Sequence, residues 1–281
     1  MPISKRKNRP KAEIRPPVNA PPTRGHEHGP ARAESALKAR NDKPAGDDSY
    51  ASGTHSHRSR LLRFSHRRRF DHAAKLLDPH PDSRVLDYGS GDGYLLERLL
   101  PVVPAGHLTA YEPLDYLQEQ IKGRFAGQPV ALVTNLSDLA SRRFDRIACL
   151  EVLEHLQPDI VTRTLDTLET ILAPGGAIVI SVPVEVGPTV LLKYLASRIQ
   201  KGSTRHMSWS EVLKASFYGS VPRDTEHDFI PHKGFDYCQL RSMLRERFVI
   251  ERQVFSPVPL LGGLLNAQVL WRMRSRGSGS E

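Results

Sequence analysis

The stretch VLDYGSGDGYLLERL, residues 85–99, limits the fold of this chain more than any other segment. The apolar run around Asp87 predicts a short buried strand, and GYLLERLLPVV predicts a helix that follows at once. Between them stand three alternating glycines, Gly89, Gly91 and Gly93. A strand, a glycine-rich turn and a helix in this order let backbone N–H groups approach a nucleotide-like ligand. The spacing D-x-G-x-G-x-G departs from the G-x-G-x-x-G of dinucleotide sites, which makes a dinucleotide the weaker interpretation.

Helix-like and strand-like segments alternate from residue 65 to residue 183, which predicts a mostly parallel sheet covered by helices. After them, the sequence predicts two more helices and a final pair of antiparallel strands. The predicted strands are 84–88, 107–113, 130–134, 143–152, 177–183, 249–255 and 267–274, and the predicted helices are 64–78, 93–103, 114–125, 161–172, 189–199 and 236–248.

The basic charge of the chain is concentrated at its N-terminus. Residues 1–69 carry 17 Lys and Arg against 6 Asp and Glu, whereas residues 70–281 carry 23 against 25. Residues 1–57 are also rich in proline and poor in large apolar side chains, so we predict a disordered basic tail there. The tail could touch nucleic acid or anionic lipid, but a solvated arm is the simpler interpretation. We predict one folded domain over 58–275, with 276–281 as a frayed end.

Cysteine content and hydropathy bear on the compartment. Cys149 and Cys238 lie far apart and belong to no metal-binding or disulfide pattern. No apolar run reaches the length of a membrane-spanning helix, and the N-terminus lacks the apolar core of a secretory signal. The expectation from these observations is a cytoplasmic protein.

A second acidic residue strengthens the case for a nucleotide-like ligand. Glu112 ends the next predicted strand, where a carboxylate can accept both hydroxyls of a ribose. The motifs LDYGSGDG, YEP, FDRIACLEVLEHL and LAPGGAIVISVP follow one another in an order that resembles the class I S-adenosylmethionine-dependent methyltransferases. The resemblance implies a Rossmann-like α/β fold, with a seven-stranded mostly parallel sheet, an antiparallel C-terminal strand and helices on both faces. It also implies S-adenosylmethionine as cofactor.

The same resemblance implies roles for individual residues. Asp87 would lie near the methionine amino end, Glu112 would bind the ribose, and Glu151 would lie beside the transferred methyl group. Family members often carry an Asp that binds the adenine amino group, whereas this chain has Asn135, with Asp138 nearby. The cofactor-binding residues implied are Asp87, Gly89, Ser90, Gly91, Gly93, Glu112, Pro113, Asn135, Leu136 and Glu151.

The string EVLEHL offers two carboxylates and an imidazole, a donor set that suits Mg²⁺ or Mn²⁺. It resembles a segment of ubiquinone-pathway O-methyltransferases and of small-RNA 3′-terminal 2′-O-methyltransferases, which implies a metal set of Glu151, Glu154, His155 and His227. The candidate catalytic residues are Glu151, His155 and His232, and without an ion His155, His227 or His232 is the candidate general base. A third alternative is that Glu154 and His155 only cap or pack a helix.

The acceptor is expected to meet residues 184–234, where this fold usually builds a substrate lid. Four aromatic side chains there could form a wall or belong to an ordinary core: Trp209, Phe217, Tyr218 and Phe229. The apolar segments 189–199 and 255–265 are predicted to accept an apolar substrate, to lie at a membrane surface, or only to cover the sheet.

We therefore expect O-methylation of a small molecule, a lipid-linked intermediate or a glycan. The alternatives are RNA 2′-O-methylation with a divalent metal, and a non-catalytic partner protein of the same fold.

Overall fold

The computed structural model describes residues 60–184, 235–262 and 266–277. The helices are α1 (Arg60–Leu77), α2 (Tyr94–Leu99), α3 (Asp115–Arg124), α4 (Pro158–Ile171) and α5 (Tyr237–Arg247). The strands are β1 (Val85–Tyr88), β2 (Leu108–Tyr111), β3 (Ala131–Val133), β4 (Phe144–Leu150), β5 (Leu172–Pro183), β6 (Phe248–Ser256) and β7 (Gln268–Ser275).

The strands form one seven-stranded sheet in the order β3-β2-β1-β4-β5-β7-β6. Strands β1 to β5 are parallel to one another, and β7 runs antiparallel to both β5 and β6. Strands β2 and β3 follow on one side of β1, and β4 and β5 follow on its other side. The carboxyl ends of β1, β2 and β4 therefore lie side by side at this switch point, where α/β sheets bind ligands. The predicted fold class and the antiparallel final pair are confirmed.

Two apolar cores, one on each face, hold the helices against the sheet. One core joins the sheet to α4 and α5 and contains the fully buried Trp271 and Phe248. The other joins the sheet to α1, α2 and α3 through residues such as Leu77, Leu96 and Phe125. Strands covered on both faces need apolar side chains in succession, which explains why the burial of β1 and β2 does not alternate.

Several element boundaries differ from the sequence prediction, among them those of α2, α4 and β5. Helix α2 ends at Leu99 rather than at 103, because Pro101 has no backbone N–H to continue the hydrogen bonding of the helix. Helix α4 begins earlier than expected, with Pro158 in its first turn. Strand β5 begins at Leu172, before the expected glycine turn, and its register with β4 shifts between Phe144 and Arg146.

No helix among the residues described is long and apolar enough to cross a membrane. Several predictions lie outside those residues and stay predictions: the basic tail 1–57, most of the insertion 184–234 with its aromatic side chains and the helix 189–199, and the end of the chain from 278.

Candidate functional site

The glycine turn after β1 is fastened to the end of β2 by its backbone. The amides of Gly89 and Ser90 donate to the carbonyl of Tyr111 at 2.9 and 3.0 Å, and the amide of Gly93 donates to the carbonyl of Ser90 at 3.0 Å. Gly89, Gly91 and Gly93 have φ values of 75°, 60° and 79°, the left-handed region in which glycine carries the lowest cost.

The three glycines differ in what surrounds them. A Cβ atom on Gly89 would lie 2.5 Å from a methyl carbon of Val152, and one on Gly93 would lie 2.7 Å from the ring of Phe125. A Cβ atom on Gly91 would meet nothing within 4 Å. The outer glycines are therefore required by protein packing, whereas the central one borders open space that a ligand can fill.

Glu112 follows β2 and joins the glycine turn to the next helix. Its buried carboxylate accepts the Gly91 amide through Oε2 at 2.8 Å and the Leu114 amide through Oε1 at 3.1 Å. Its own backbone is fixed, since its amide donates to the Val133 carbonyl and its carbonyl accepts from Gln118 Nε2. A carboxylate can accept about four hydrogen bonds, which makes this side chain chemically suited to ribose hydroxyls.

Asp87 lies within β1, and its side chain is almost fully buried. The Ser90 hydroxyl donates to its Oδ2 at 3.1 Å. Burial, and to a lesser extent the negative charges of Glu112 and Asp92, raise the pKa of Asp87 from 3.8 to about 7, although the bond from Ser90 opposes the rise. The positive charge of Arg69 opposes the rise least of all, so the carboxyl is suited to receive a cation from a ligand, such as an amino group.

Glu151 follows β4 and is held by residues from three separate elements. It has a φ of 57°, a left-handed conformation that non-glycine residues adopt only where their surroundings impose it. Its Oε1 accepts from the Ser181 hydroxyl at 3.0 Å, and its Oε2 lies 3.4 Å from Nη1 of Arg69 and from Nε2 of Gln268. Arg69 and Glu151 are both about nine-tenths buried.

Arg69 was not predicted as a site residue, although the sequence contains a signal for it. Its position in α1 falls on the helix face of Ala73, Leu76 and Leu77, all of which are buried. An arginine on the apolar face of a helix must find a buried acceptor, because an unpaired charge there is strongly unfavourable. That acceptor is Glu151.

We expect Arg69→Met to lower the free energy of unfolding by about 3 kcal/mol, because it leaves the Glu151 carboxylate buried without its cation. The double variant Arg69→Met/Glu151→Gln should recover most of this loss, because neither charge remains. Denaturant unfolding of the two variants measures the difference, with Arg67→Met on the exposed side of α1 as the control. If the double variant is as unstable as the single one, the ion pair is not the cause.

The residues expected near the adenine lie after β3. Asn135 is exposed and precedes a short 3-10 helix, Leu136–Leu139, while Leu136 is half-buried and Asp138 is exposed. Pro113 and Ser90 are buried in the turns next to Glu112 and Asp87. The structure thus brings the predicted residues of β1, β2 and β4 to one edge of the sheet.

The remaining predicted residues follow β4 in a short 3-10 helix, Leu153–His155. Glu154 is fully buried, and its Oε1 lies 3.9 Å from Nε2 of the partly buried His155. Among the described residues, no three His, Cys, Asp or Glu side chains form a group that could hold a metal ion. His227 and His232 lie outside those residues, so their roles stay predictions.

These residues fit S-adenosylmethionine. Asp87 offers a carboxyl to an amino group, the space beside Gly91 admits a ligand, and the Glu112 carboxylate next to that space is a group that can accept hydroxyls. The sheet order and this constellation define a protein of the class I S-adenosylmethionine-dependent methyltransferase fold.

Comparison with known families agrees with this assignment. Residues 55–223 match the family described as "Methyltransferase domain", and the chain belongs to that family. The predicted family and enzyme class are thereby confirmed.

Two curated relatives share part of the sequence. The small RNA 2′-O-methyltransferase of Mus musculus is 26% identical over 198 residues, covering 60% of this chain and 50% of that protein. The ubiquinone biosynthesis O-methyltransferase of Xylella fastidiosa (strain 9a5c) is 34% identical over 122 residues, covering 40% of this chain and 46% of that protein. The chain spans about half the length of the curated relatives it matches.

Solved structures share the fold at low identity. The N-methyltransferase NodS from Bradyrhizobium japonicum, solved with S-adenosylhomocysteine, has a TM-score of 0.53 and 16% identity, covering 86% of this chain and 98% of its own. The 1,6-didemethyltoxoflavin-N1-methyltransferase of Burkholderia thailandensis has a TM-score of 0.51 and 19% identity, covering 92% and 93%.

Proposed function

We propose that the chain is an S-adenosylmethionine-dependent O-methyltransferase that acts on a hydroxyl of a small molecule, a lipid-linked intermediate or a glycan. The observation that carries the choice of oxygen is the pair of Glu154 and His155 directly after β4, with a buried carboxylate 3.9 Å from an imidazole nitrogen. A hydroxyl must lose its proton during methyl transfer, and an imidazole that lies near a buried carboxylate is suited to accept it, because the negative charge stabilises the imidazolium that forms. The names of both curated relatives, which are O-methyltransferases, support the same choice.

In this proposal the protein contributes mainly binding and orientation. Bound S-adenosylmethionine supplies a methyl group on a carbon that is already electrophilic. Glu112 and the Gly91 turn would hold the ribose, and Asp87 would hold the amino end. His155 would take the acceptor proton while the oxygen is held in line with the methyl group.

Glu151 has a positioning role in this proposal rather than the role of base or metal ligand. Both of its carboxylate oxygens are already engaged, Oε1 by Ser181 and Oε2 by Arg69 and Gln268. Its contribution would be to fix the chain at the end of β4, from which the segment containing His155 departs.

The test is transfer of a labelled methyl group to a panel of phenols, lipid-linked phenols, glycans and single-stranded RNA. We expect label on oxygen, and we expect His155→Gln to lower kcat by roughly 10²- to 10⁴-fold while S-adenosylhomocysteine binds as before. The variant should lose least with the most acidic hydroxyls, because these need a base least. His80→Gln, a change of an exposed histidine, is the matched control.

Two results would contradict the proposal. One is label on nitrogen throughout the panel, and the other is full activity of His155→Gln towards weakly acidic hydroxyls. Loss of S-adenosylhomocysteine binding in His155→Gln would instead show that the residue supports the cofactor site.

RNA 2′-O-methylation with a divalent ion is the second candidate, because the mouse small RNA 2′-O-methyltransferase aligns over the longer stretch. The ion would need Glu154, His155 and His227, and also Glu151, whose carboxylate is bound to Arg69. Three results would together favour this candidate. The activity would require Mg²⁺ or Mn²⁺, it would be lost when periodate cleaves the 3′-terminal diol of the RNA, and it would fall steeply with salt concentration. A cytoplasmic location is part of both proposals.

A further inference from the structure

A cavity lies between α1 and the edge strand β6, on the outer side of the sheet. Its volume is about 440 Å³, in the range of small-ligand sites. The cavity is lined by polar side chains of both elements, namely His72 and Lys75 of α1 and Arg252 and Gln253 of β6. Leu76 and Val254 add apolar side chains to the lining.

The charge in this cavity is positive. Its permanent cations are Lys75 and Arg252, and no acidic side chain lines it. The two nearby acids are already neutralised, since Asp71 pairs with Arg98 and Glu251 pairs with Arg272 and Arg274. A cavity with two cations and no free acid attracts an anion.

Exposed apolar side chains stand at the rim of the same cavity. Pro259, which completes its lining, lies between Val258 and Leu260. Leu260 is 97% exposed and Val258 is 39% exposed. Two exposed aliphatic side chains beside a basic cavity form a surface that joins apolar and cationic groups, which suits a partner with both an apolar and an anionic part.

This exposure is imposed by a buried hydrogen-bond network. The Val258 amide donates to Oδ1 of the fully buried Asn266 at 2.7 Å. Asn266 Nδ2 donates in turn to the carbonyls of Val258 and Gly262 at 2.8 and 2.6 Å. The turn that carries Leu260 is therefore fixed in a defined conformation and presents its side chain outward.

We propose that the face formed by this cavity and the turn 258–262 binds an anionic phospholipid surface. The lipid phosphate would occupy the basic cavity between Lys75 and Arg252, and Val258 and Leu260 would enter the acyl region. A nucleic-acid strand would also satisfy the cations, but it would leave the two aliphatic side chains in water. The inference concerns membrane contact alone and does not depend on the acceptor proposed above.

The experiment must distinguish membrane binding by this face from binding by the basic N-terminal segment, whose positive charge would attract anionic vesicles in either case. A polarity-sensitive fluorophore at Leu260→Cys in the full chain reports insertion locally. Cys238→Ser removes the exposed native thiol, while Cys149 is buried. The same fluorophore at Val102→Cys, in an exposed turn after α2, is the control.

We expect a blue shift at position 260, and none at 102, with vesicles of phosphatidylcholine containing phosphatidylglycerol. In cosedimentation, Lys75→Gln/Arg252→Gln should lower the partition coefficient about 25-fold, at roughly fivefold for each cation. The control Lys122→Gln/Arg142→Gln removes the same charge from exposed positions elsewhere and should change it far less.

Three results would overturn the proposal. The first is cosedimentation without a shift at position 260, which assigns binding to the tail. The second is a shift with polyuridylate in place of vesicles, which assigns the face to nucleic acid. The third is binding of glycerol 3-phosphate to the cavity without insertion of position 260 into vesicles, which makes the cavity a site for a free phosphate compound.

Discussion

Replacing Glu112 with Ala is expected to weaken S-adenosylhomocysteine binding at least 100-fold. The carboxylate fixes the Gly91 and Leu114 amides and would accept the ribose hydroxyls, so its removal deletes two ligand bonds. Hydrogen bonds to a charged group contribute about 1.5–3 kcal/mol each, and 1.4 kcal/mol corresponds to about a tenfold change in affinity. Calorimetric titration of the purified chain gives the affinity directly.

The isosteric variant Glu112→Gln separates the role of shape from the role of charge. One of its side-chain positions becomes an NH₂ group that faces the amide of Gly91 or Leu114, so a donor would meet a donor. We expect it to lose affinity and some thermal stability together. Glu119→Gln, an exposed change in α3, should alter neither. If wild-type protein fails to bind while folded, the non-catalytic alternative becomes the better account.

Replacing Asp87 with Asn is expected to stabilise the free protein at alkaline pH and to abolish cofactor binding. The folded protein keeps Asp87 protonated up to a pKa of about 7, whereas the unfolded chain releases this proton near the ordinary value of 3.8. Between these values the folded state holds the extra proton, so the contribution of Asp87 to stability is lost as the pH rises. One pKa unit corresponds to about 1.4 kcal/mol, which makes the effect on the order of 4 kcal/mol at about pH 8.

Urea unfolding of wild type and Asp87→Asn at a series of pH values isolates this contribution, because the other titrating groups cancel in the difference. The two proteins should be similarly stable near pH 4 and diverge steadily towards pH 7, with the variant the more stable. Asp82→Asn, a change of an exposed carboxylate, should follow the wild type throughout. Parallel curves for wild type and Asp87→Asn would show that Asp87 is ionised in the free protein.

The sequence contains enough to predict the sheet and the cofactor edge, because both depend on local patterns. The apolar runs, the alternating glycines, the acid within β1 and the acid after β2 are each visible within a few residues. The glycines could not be told apart in this way, since Val152 and Phe125, which crowd Gly89 and Gly93, come from distant segments.

The contacts of Glu151 could not be predicted from the sequence, because they too come from distant segments. Its position after β4 was predicted, but its partners Arg69, Ser181 and Gln268 come from α1, β5 and β7. A donor set of carboxylates and imidazole is chemically suited to a metal whether or not its members are free. Only the three-dimensional contacts show that the Glu151 carboxylate is already engaged.

Helix α1 reaches from one edge of the sheet to the other. At the middle of the helix Arg69 contacts Glu151 after β4, and just beyond the end of the helix the carbonyl of Asp78 accepts from Arg146 Nε near the beginning of the same strand, at 3.2 Å. Helix α1, which follows the basic tail, thus contributes a contact at the carboxyl ends of the strands, where the cofactor site lies. Chimaeras that exchange N-terminal segments between relatives should therefore place the junction before residue 60, so that the helix travels with its own sheet.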